Sequence, residues 1–231
     1  MIKPNLEILA YEPSPLGMLC LRRRELLSQP GTIVTEVTLN HEFLMSSLYT
    51  DSEKALAQTA LQMHPGQELQ VLVGGLGLGY TAQEALLCDR VAAVEVVELL
   101  PQVIDWLAQG LVPLSPELIG EPRLVVTEGD VYGRLMAAPD SCFDLILIDV
   151  DHSPDERLGE ESISFYTAAG LTAARQHLAP GGVLAVWSYA ESSPFSAALH
   201  EVFTEVRVEP VTYDNQLINE ERTDWLFFAR G

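Results

Sequence analysis

Between residues 69 and 188 the sequence alternates short apolar segments with helix-like segments. The apolar segments, in chain order, are LQVLVGG, VAAVEVVE, RLVVTEGD, FDLILIDVD and GVLAVWS. Near-continuous apolar strands separated by helices are typical of a parallel sheet covered on both faces, and right-handed crossovers make such a sheet doubly wound. The segment ISFYTAAGLTAARQHLA predicts one long helix that ends at Pro180-Gly181-Gly182. The pattern therefore predicts an α/β fold of the Rossmann-like type.

The segments on either side of this alternation predict antiparallel structure. Residues 6–39 read as short strands separated by turn signals, which indicates a small N-terminal antiparallel β section. Residues 46–63 carry apolar side chains at roughly helical spacing. After residue 203 two strand-like segments follow without a long helix between them. We expect a closing antiparallel hairpin here, where a dinucleotide-binding fold would add another strand–helix unit.

Charge and composition limit the kinds of partner. The 231 residues carry a net charge of −20, which repels phosphates and argues against nucleic acid, while it suits a cationic substrate or simply an acidic surface. No apolar run reaches the ~18 residues of a membrane helix, and no signal peptide is visible. The three cysteines and five histidines show no metal-ligand spacing, so we expect no metal, and reduced thiols in a cytoplasmic protein.

The first apolar strand runs into a glycine-rich turn that precedes a helix. Glycine permits positive φ and close approach of a ligand, and the helix start offers unpaired N–H groups. Gly75, Gly77 and Gly79 follow the spacing GxGxG, and bulky Tyr80 falls where the dinucleotide fingerprint needs a small residue. The loop therefore predicts a nucleoside without a pyrophosphate, with Tyr80 in contact with it. A nicotinamide dehydrogenase is the poorest alternative.

Acidic residues end the second and third strands of the alternation. Glu98 is placed to accept hydrogen bonds from both ribose hydroxyls, with Glu95 as a competing candidate and a solvated capping acid as the alternative. Asp130 can accept from the adenine amine while Gly129 keeps the base pocket open. The alternative for Asp130 is a helix N-cap.

The fourth strand delivers Asp149, Asp151 and His152 to the carboxyl edge of the sheet, where ligands bind in open α/β folds. A carboxylate there can orient or deprotonate an amine nucleophile, and a histidine can do the same near neutral pH. The alternative is that Asp149 caps a turn and His152 is exposed. Trp187 and Tyr189, at the end of the fifth strand, are candidates to line an acceptor pocket, with packing as the alternative.

These segments together resemble a known family. From residue 69 to 231 the chain is similar to class I S-adenosylmethionine-dependent methyltransferases, and the whole chain resembles the spermidine synthase (polyamine aminopropyltransferase) family. VVELLPQVIDW is similar to the family's VEIDPEVIE-type segment, which places Glu98 on its ribose-binding acid. DLILIDVDHSP is similar to the family's DLIIVDSSDP segment, which places Asp149 on its first aspartate and His152 on its second. Leu78 stands at the acidic position of the family's GGGDGG loop.

The resemblance implies a transferase with S-adenosylmethionine or decarboxylated S-adenosylmethionine as donor and a small-molecule amine or other small acceptor. It also implies a homodimer. Residues 1–45 would be the N-terminal β-strand section, and residues 46–231 the Rossmann-like nucleoside-binding catalytic domain. Two alternatives stay open: an S-adenosylmethionine-dependent small-molecule methyltransferase, and a non-catalytic relative that keeps the nucleoside pocket.

Overall fold

The computed structural model describes residues 5–150, 153–155, 164–215 and 220–231. These residues form a four-stranded antiparallel sheet and a seven-stranded mixed sheet. The predicted fold class, a Rossmann-like sheet with a closing antiparallel hairpin and a preceding antiparallel β section, is confirmed.

The N-terminal sheet is a meander of four strands. In chain order these are β1 (Leu6–Ser14), β2 (Gly17–Glu25), β3 (Ile33–Leu39) and β4 (Glu42–Ser46). Asn40 and His41 form the two-residue turn between β3 and β4, and both have positive φ, as tight hairpin turns require. Glu36 is 2% exposed and contacts Arg22 at 2.9 Å and Arg24 at 2.6 Å. Burial opposes its ionisation, but these two guanidinium groups hold the pKa of Glu36 below its usual value.

The larger sheet has the strand order β10-β11-β9-β8-β5-β6-β7. Its strands are β5 (Leu69–Gly74), β6 (Val91–Glu98), β7 (Leu124–Glu128), β8 (Phe143–Ile148), β9 (Leu178–Ser188), β10 (Glu205–Asn215) and β11 (Glu220–Arg230). Strands β5 to β9 pair in parallel, and β11 pairs antiparallel with both β9 and β10. The order reverses at β5, so the carboxyl ends of β5 and β8 meet where open α/β sheets bind ligands.

Helices cover both faces of this sheet. They are α1 (Asp51–Met63), α2 (Tyr80–Leu86), α3 (Pro101–Ala108), α4 (Ser115–Leu118), α5 (Val131–Met136), α6 (Ala168–Arg175) and α7 (Ser193–Val202). Along β8, Leu145 and Leu147 pack in one hydrophobic cluster, whereas Ile146 and Ile148 pack in the other. Because side chains alternate across a strand, the uninterrupted apolar run of β8 reflects burial on both faces. No helix within the described ranges is long and apolar enough to cross a membrane.

Two predicted element boundaries are wrong. The helix expected near residues 46–63 begins only at Asp51, because β4 extends to Ser46. The predicted long helix, whose first residue, 163, lies outside the described residues, ends at Arg175, and β9 already begins at Leu178. The segment Pro180-Gly181-Gly182 therefore lies inside the strand, where the pairing of β9 with β8 is irregular and Gly181 has a φ of +79°. The glycines permit a bulge rather than ending a helix.

Candidate active site

The glycine loop after β5 has the backbone conformation that the sequence predicts for it. Gly75, Gly77 and Gly79 have φ values of +94°, +52° and +94°, a region that side chains disfavour. A Cβ on Gly75 would collide with the carbonyl oxygen of Asp149, and one on Gly77 would lie 3.3 Å from the sulfur of Met45. Glycine therefore lets this loop pass directly between the end of β8 and the N-terminal sheet.

Glu98, at the end of β6, turns its carboxylate toward the glycine loop. It is 7% exposed and accepts the backbone N–H groups of Leu76 and Leu100, each at 2.8 Å. Burial raises the pKa of Glu98, and these backbone donors oppose the rise. The competing candidate, Glu95, instead forms an ion pair with Arg134 at 2.6 Å. Glu98 therefore fixes the glycine loop to the end of β6, and its contact with ribose hydroxyls stays a prediction.

The residues expected around the base lie at the ends of neighbouring elements. Gly129 follows β7, and its N–H donates to the carbonyl of Glu98 at 2.9 Å. Asp130 caps α5 by accepting from the N–H of Tyr132 at 2.9 Å, the alternative role considered for it. Tyr80 is the first residue of α2 and is partly buried. A contact of these residues with a nucleoside stays a prediction.

Asp149 lies directly after β8 and is partly buried beside the glycine loop. Its carboxylate accepts a short hydrogen bond from the hydroxyl of Thr81, in the first turn of α2. Burial raises the pKa of Asp149 to about 6, Thr81 opposes the rise, and the charge of Asp224 adds to it. Asp151 and His152, the other two predicted catalytic residues, lie outside the described residues.

Two further carboxyl groups lie close enough to Asp149 for their charges to interact with it, and the sequence prediction missed both. Glu53 lies in the first turn of α1, and Asp224 lies in β11. The hydroxyl of Ser52 joins them, at 2.9 Å from Glu53 Oε2 and 2.7 Å from Asp224 Oδ2. A hydroxyl carries one hydrogen, so Ser52 can donate to one carboxyl group and accept from the other when that group is protonated. This geometry is suited to a carboxyl pair that holds a proton.

The charges of these groups agree with that geometry. Burial, followed by the charges of Asp149 and Asp224, raises the pKa of Glu53 to about 8. Burial also raises the pKa of Asp224, and Ser52 and the indole of Trp187 oppose the rise. The buried Nε1 of Trp187 lies near that carboxylate but makes no hydrogen bond of standard geometry among the described residues.

Two stacked aromatic rings lie near Glu53 and Asp224. Tyr49 and Tyr213 stack with their ring centroids 4.8 Å apart. Burial, with the charges of Asp224 and Glu53, raises the pKa of Tyr213 to about 12. Within the described ranges, no lysine or arginine forms an ion pair with any of the three carboxyl groups. Among the same residues, no group of three or more His, Cys, Asp or Glu side chains is arranged to hold a metal ion. Carboxylates beside aromatic faces suit an organic cation.

Some sequence signal for the missed residues existed. Acidic side chains in the first turn of a helix interact favourably with the helix dipole, and the sequence position of Glu53 fits that ordinary role. Asp224 interrupts an otherwise apolar strand, TDWLFFA, and a charge at such a position indicates a buried polar contact. Neither signal indicates that the two side chains meet.

The fold and this edge define a class of protein. A seven-stranded sheet in this order, with a nucleoside-type glycine loop and a closing hairpin, is the fold of class I S-adenosylmethionine-dependent methyltransferases. The two-sheet architecture is, more narrowly, that of the spermidine synthases, and the resemblance of the whole chain to them is confirmed.

Three solved structures carry the likeness in fold. The spermidine synthase from Thermotoga maritima has a TM-score of 0.74 at 18% identity, over 96% of this chain and 72% of that chain. A spermidine synthase in complex with the transition state analogue AdoDATO has a TM-score of 0.75 at 18% identity, over 96% of this chain and 73% of that chain. A probable spermidine synthase from Corynebacterium glutamicum ATCC 13032 has a TM-score of 0.66 at 16% identity, over 99% of this chain and 81% of that chain.

Sequence similarity extends over part of the chain. Polyamine aminopropyltransferase 2 of Streptomyces coelicolor is 33% identical over 129 residues. The match covers 54% of this chain and 23% of that protein, so this chain spans about a quarter of the relative's length. No protein-family model matches the sequence. About half of this chain is thus similar in sequence to an aminopropyltransferase.

Replacing Gly75 with alanine tests the close approach of the loop to Asp149. The matched control is Gly110→Ala, because Gly110 has a similar positive φ of +77° but open space around a new Cβ. The control should lose about 1–2 kcal/mol of unfolding free energy, the cost of a left-handed side chain. Gly75→Ala should lose clearly more unfolding free energy, measured by urea unfolding, because the collision of the new Cβ with the Asp149 carbonyl oxygen adds to that cost. Equal losses in both variants would mean that the backbone approach carries no constraint.

Replacing Glu53 with glutamine tests the proton held by the carboxyl pair. A folded-state pKa of about 8, above the ordinary 4.5, gives stability that is present below pH 4.5 and lost as the pH rises through 8. Glu53→Gln should therefore melt at a higher temperature than the parent at pH 9, and at nearly the same temperature at pH 5. Each kcal/mol of unfolding free energy corresponds to about 2–4 °C in melting temperature. Glu201→Gln, on the exposed face of α7, should show no such pH dependence. A parent-like melting temperature of Glu53→Gln at both pH values would contradict the shift.

Proposed function

We propose that this protein is a spermidine synthase-like transferase that joins a sulfonium nucleoside to an amine acceptor. The single observation that carries this proposal is the meeting of Glu53, Asp149 and Asp224, from three distant segments, beside a nucleoside-type glycine loop. The donor is S-adenosylmethionine or its decarboxylated form. The acceptor is a small amine, because a protonated amine is the cation that three carboxyl groups and two tyrosine rings suit best.

The donor would lie across the carboxyl edge of β5, β6 and β7. The loop glycines Gly75, Gly77 and Gly79 leave its backbone open to the nucleoside, with Tyr80 at the start of the next helix. Glu98 would accept from the ribose hydroxyls, and Asp130, next to Gly129, from the adenine amine. This pose directs the sulfonium toward Asp149, which ends the neighbouring strand β8.

The reaction is a displacement at carbon. The amine that the carboxyl groups attract is protonated, so it first gives a proton to a carboxylate, for which Asp149 is placed, with Asp151 and His152 as its sequence neighbours. The freed lone pair of the nitrogen attacks the methylene carbon beside the sulfonium, a new N–C bond forms, and the C–S bond breaks with its electron pair going to sulfur, so that methylthioadenosine leaves. With decarboxylated donor the transferred group is aminopropyl. Attack at the methyl group of the intact donor would instead give methyl transfer, with S-adenosylhomocysteine as the leaving group.

Asp149→Asn tests the catalytic assignment. The variant should lose about 10²–10⁴-fold in rate while it still binds methylthioadenosine, because the carboxylate acts on the acceptor and its proton. Release of methylthioadenosine from either donor, with putrescine and other amines as acceptors, measures the reaction by chromatography. Glu201→Gln removes a distant exposed carboxylate and should leave the rate unchanged.

The pH profile gives a second readout. A carboxyl group has to be ionised to take a proton, so kcat/KM should rise between about pH 6 and pH 8, the pKa values of Asp149 and Glu53. A flat profile would remove both groups from the chemistry. Binding of methylthioadenosine without turnover of any amine would favour the non-catalytic alternative, and binding of no sulfur nucleoside would overturn the proposal.

A further inference from the structure

Lys54 differs from every other basic side chain that the structure describes. Each arginine in the described ranges contacts a carboxylate or a backbone carbonyl. Lys54, the one lysine there, forms neither a hydrogen bond nor an ion pair with described residues, although the chain carries 33 Asp and Glu residues. Its ammonium instead lies 5.6 Å from the centre of the Tyr80 ring. An unpaired cation in so acidic a protein is available to an anionic partner.

The position of Lys54 connects it with the proposed donor site. Lys54 lies in the first turn of α1, next to Glu53, whose backbone carbonyl contacts the hydroxyl of Thr81 at 3.3 Å. Tyr80 and Thr81 begin α2, directly after the glycine loop. Lys54 of α1 therefore lies beside the start of α2, at the edge of the sheet where Asp149 follows β8.

The loop itself offers no carboxylate at this place. Leu78 is 5% exposed and packs in the hydrophobic core, so the loop between Gly77 and Gly79 contributes backbone only. The two possible donors differ in one group, because S-adenosylmethionine keeps an α-carboxylate that its decarboxylated form lacks. The α-carboxylate of a donor bound beside Lys54 would gain a charge-assisted contact with its ammonium. Leu78 would not repel that carboxylate, because it carries no charge.

We propose that Lys54 is a specificity-determining residue that selects the donor with an α-carboxylate, S-adenosylmethionine, over decarboxylated S-adenosylmethionine. The inference rests on the proposed function, since it assumes that a sulfonium nucleoside occupies this edge. It assigns no role in bond breaking to Lys54, whose ammonium binds the carboxylate of the donor. Tyr80 would hold that ammonium in place through its ring face.

Binding measurements on the whole protein test this choice of donor. Isothermal titration calorimetry with S-adenosylmethionine, decarboxylated S-adenosylmethionine and methylthioadenosine compares the parent with Lys54→Gln, Lys54→Arg and Arg207→Gln. The parent should bind S-adenosylmethionine more tightly than the decarboxylated form. Lys54→Gln should weaken S-adenosylmethionine about tenfold, the effect of losing one contact between charged groups, and leave methylthioadenosine within about twofold. Lys54→Arg keeps the charge and should keep most of the preference.

The control and the contrary outcomes separate the two proposals. Arg207→Gln removes one positive charge at an exposed ion pair on β10 and should change none of the three affinities. Equal weakening of all three ligands by Lys54→Gln, or a parent that prefers the decarboxylated donor, would overturn the role of Lys54 and leave the proposed function intact. Failure of the parent to bind even methylthioadenosine would overturn the proposed function itself.

Discussion

The contact between Gly75 and the backbone of Asp149 is the constraint on which the site depends. The N–H of Asp149 donates to the carbonyl of Gly74 at 2.8 Å, and no side chain fits at Gly75 beside the Asp149 carbonyl. The ends of β5 and β8 are thereby held side by side. Because α2 starts directly after the loop, Thr81 then reaches the Asp149 carboxylate. The glycine loop and the first catalytic candidate are one structural unit.

The sequence predicts the parts of the molecule that local patterns control. The uninterrupted apolar run of β8 indicates burial on both faces, and the glycines before Tyr80 indicate a loop of positive φ. The predicted end of the long helix before β9 is wrong, because the segment Pro180-Gly181-Gly182 is equally compatible with the end of a helix and with a bulge in a strand. Pairing with β8, a non-local interaction, decides between them.

The acceptor side of the site could not be predicted in the same way. Ser52 and Asp224 are 172 positions apart, and their hydrogen bond exists only after β11 has paired with β9 beside α1. Glu53 reads locally as an ordinary acid of a first helical turn. The candidate donor residues mostly follow strand ends in sequence order, so motif spacing is enough to nominate them. The acceptor side depends on how the last strand closes the sheet.

The raised pKa values of the three carboxyl groups also indicate which ligand would stabilise them. A buried carboxyl group without a cation loses free energy on ionisation, and this cost raises its pKa. An organic cation between Glu53, Asp149 and Asp224 would favour ionisation of all three and would lower those pKa values. Binding of such a cation would then release protons and stabilise the fold most above pH 8, where the ionised carboxyl groups destabilise it. An anion would gain nothing there, so the proposed donor carboxylate would lie to one side, beside Lys54, whose ammonium forms no ion pair with described residues.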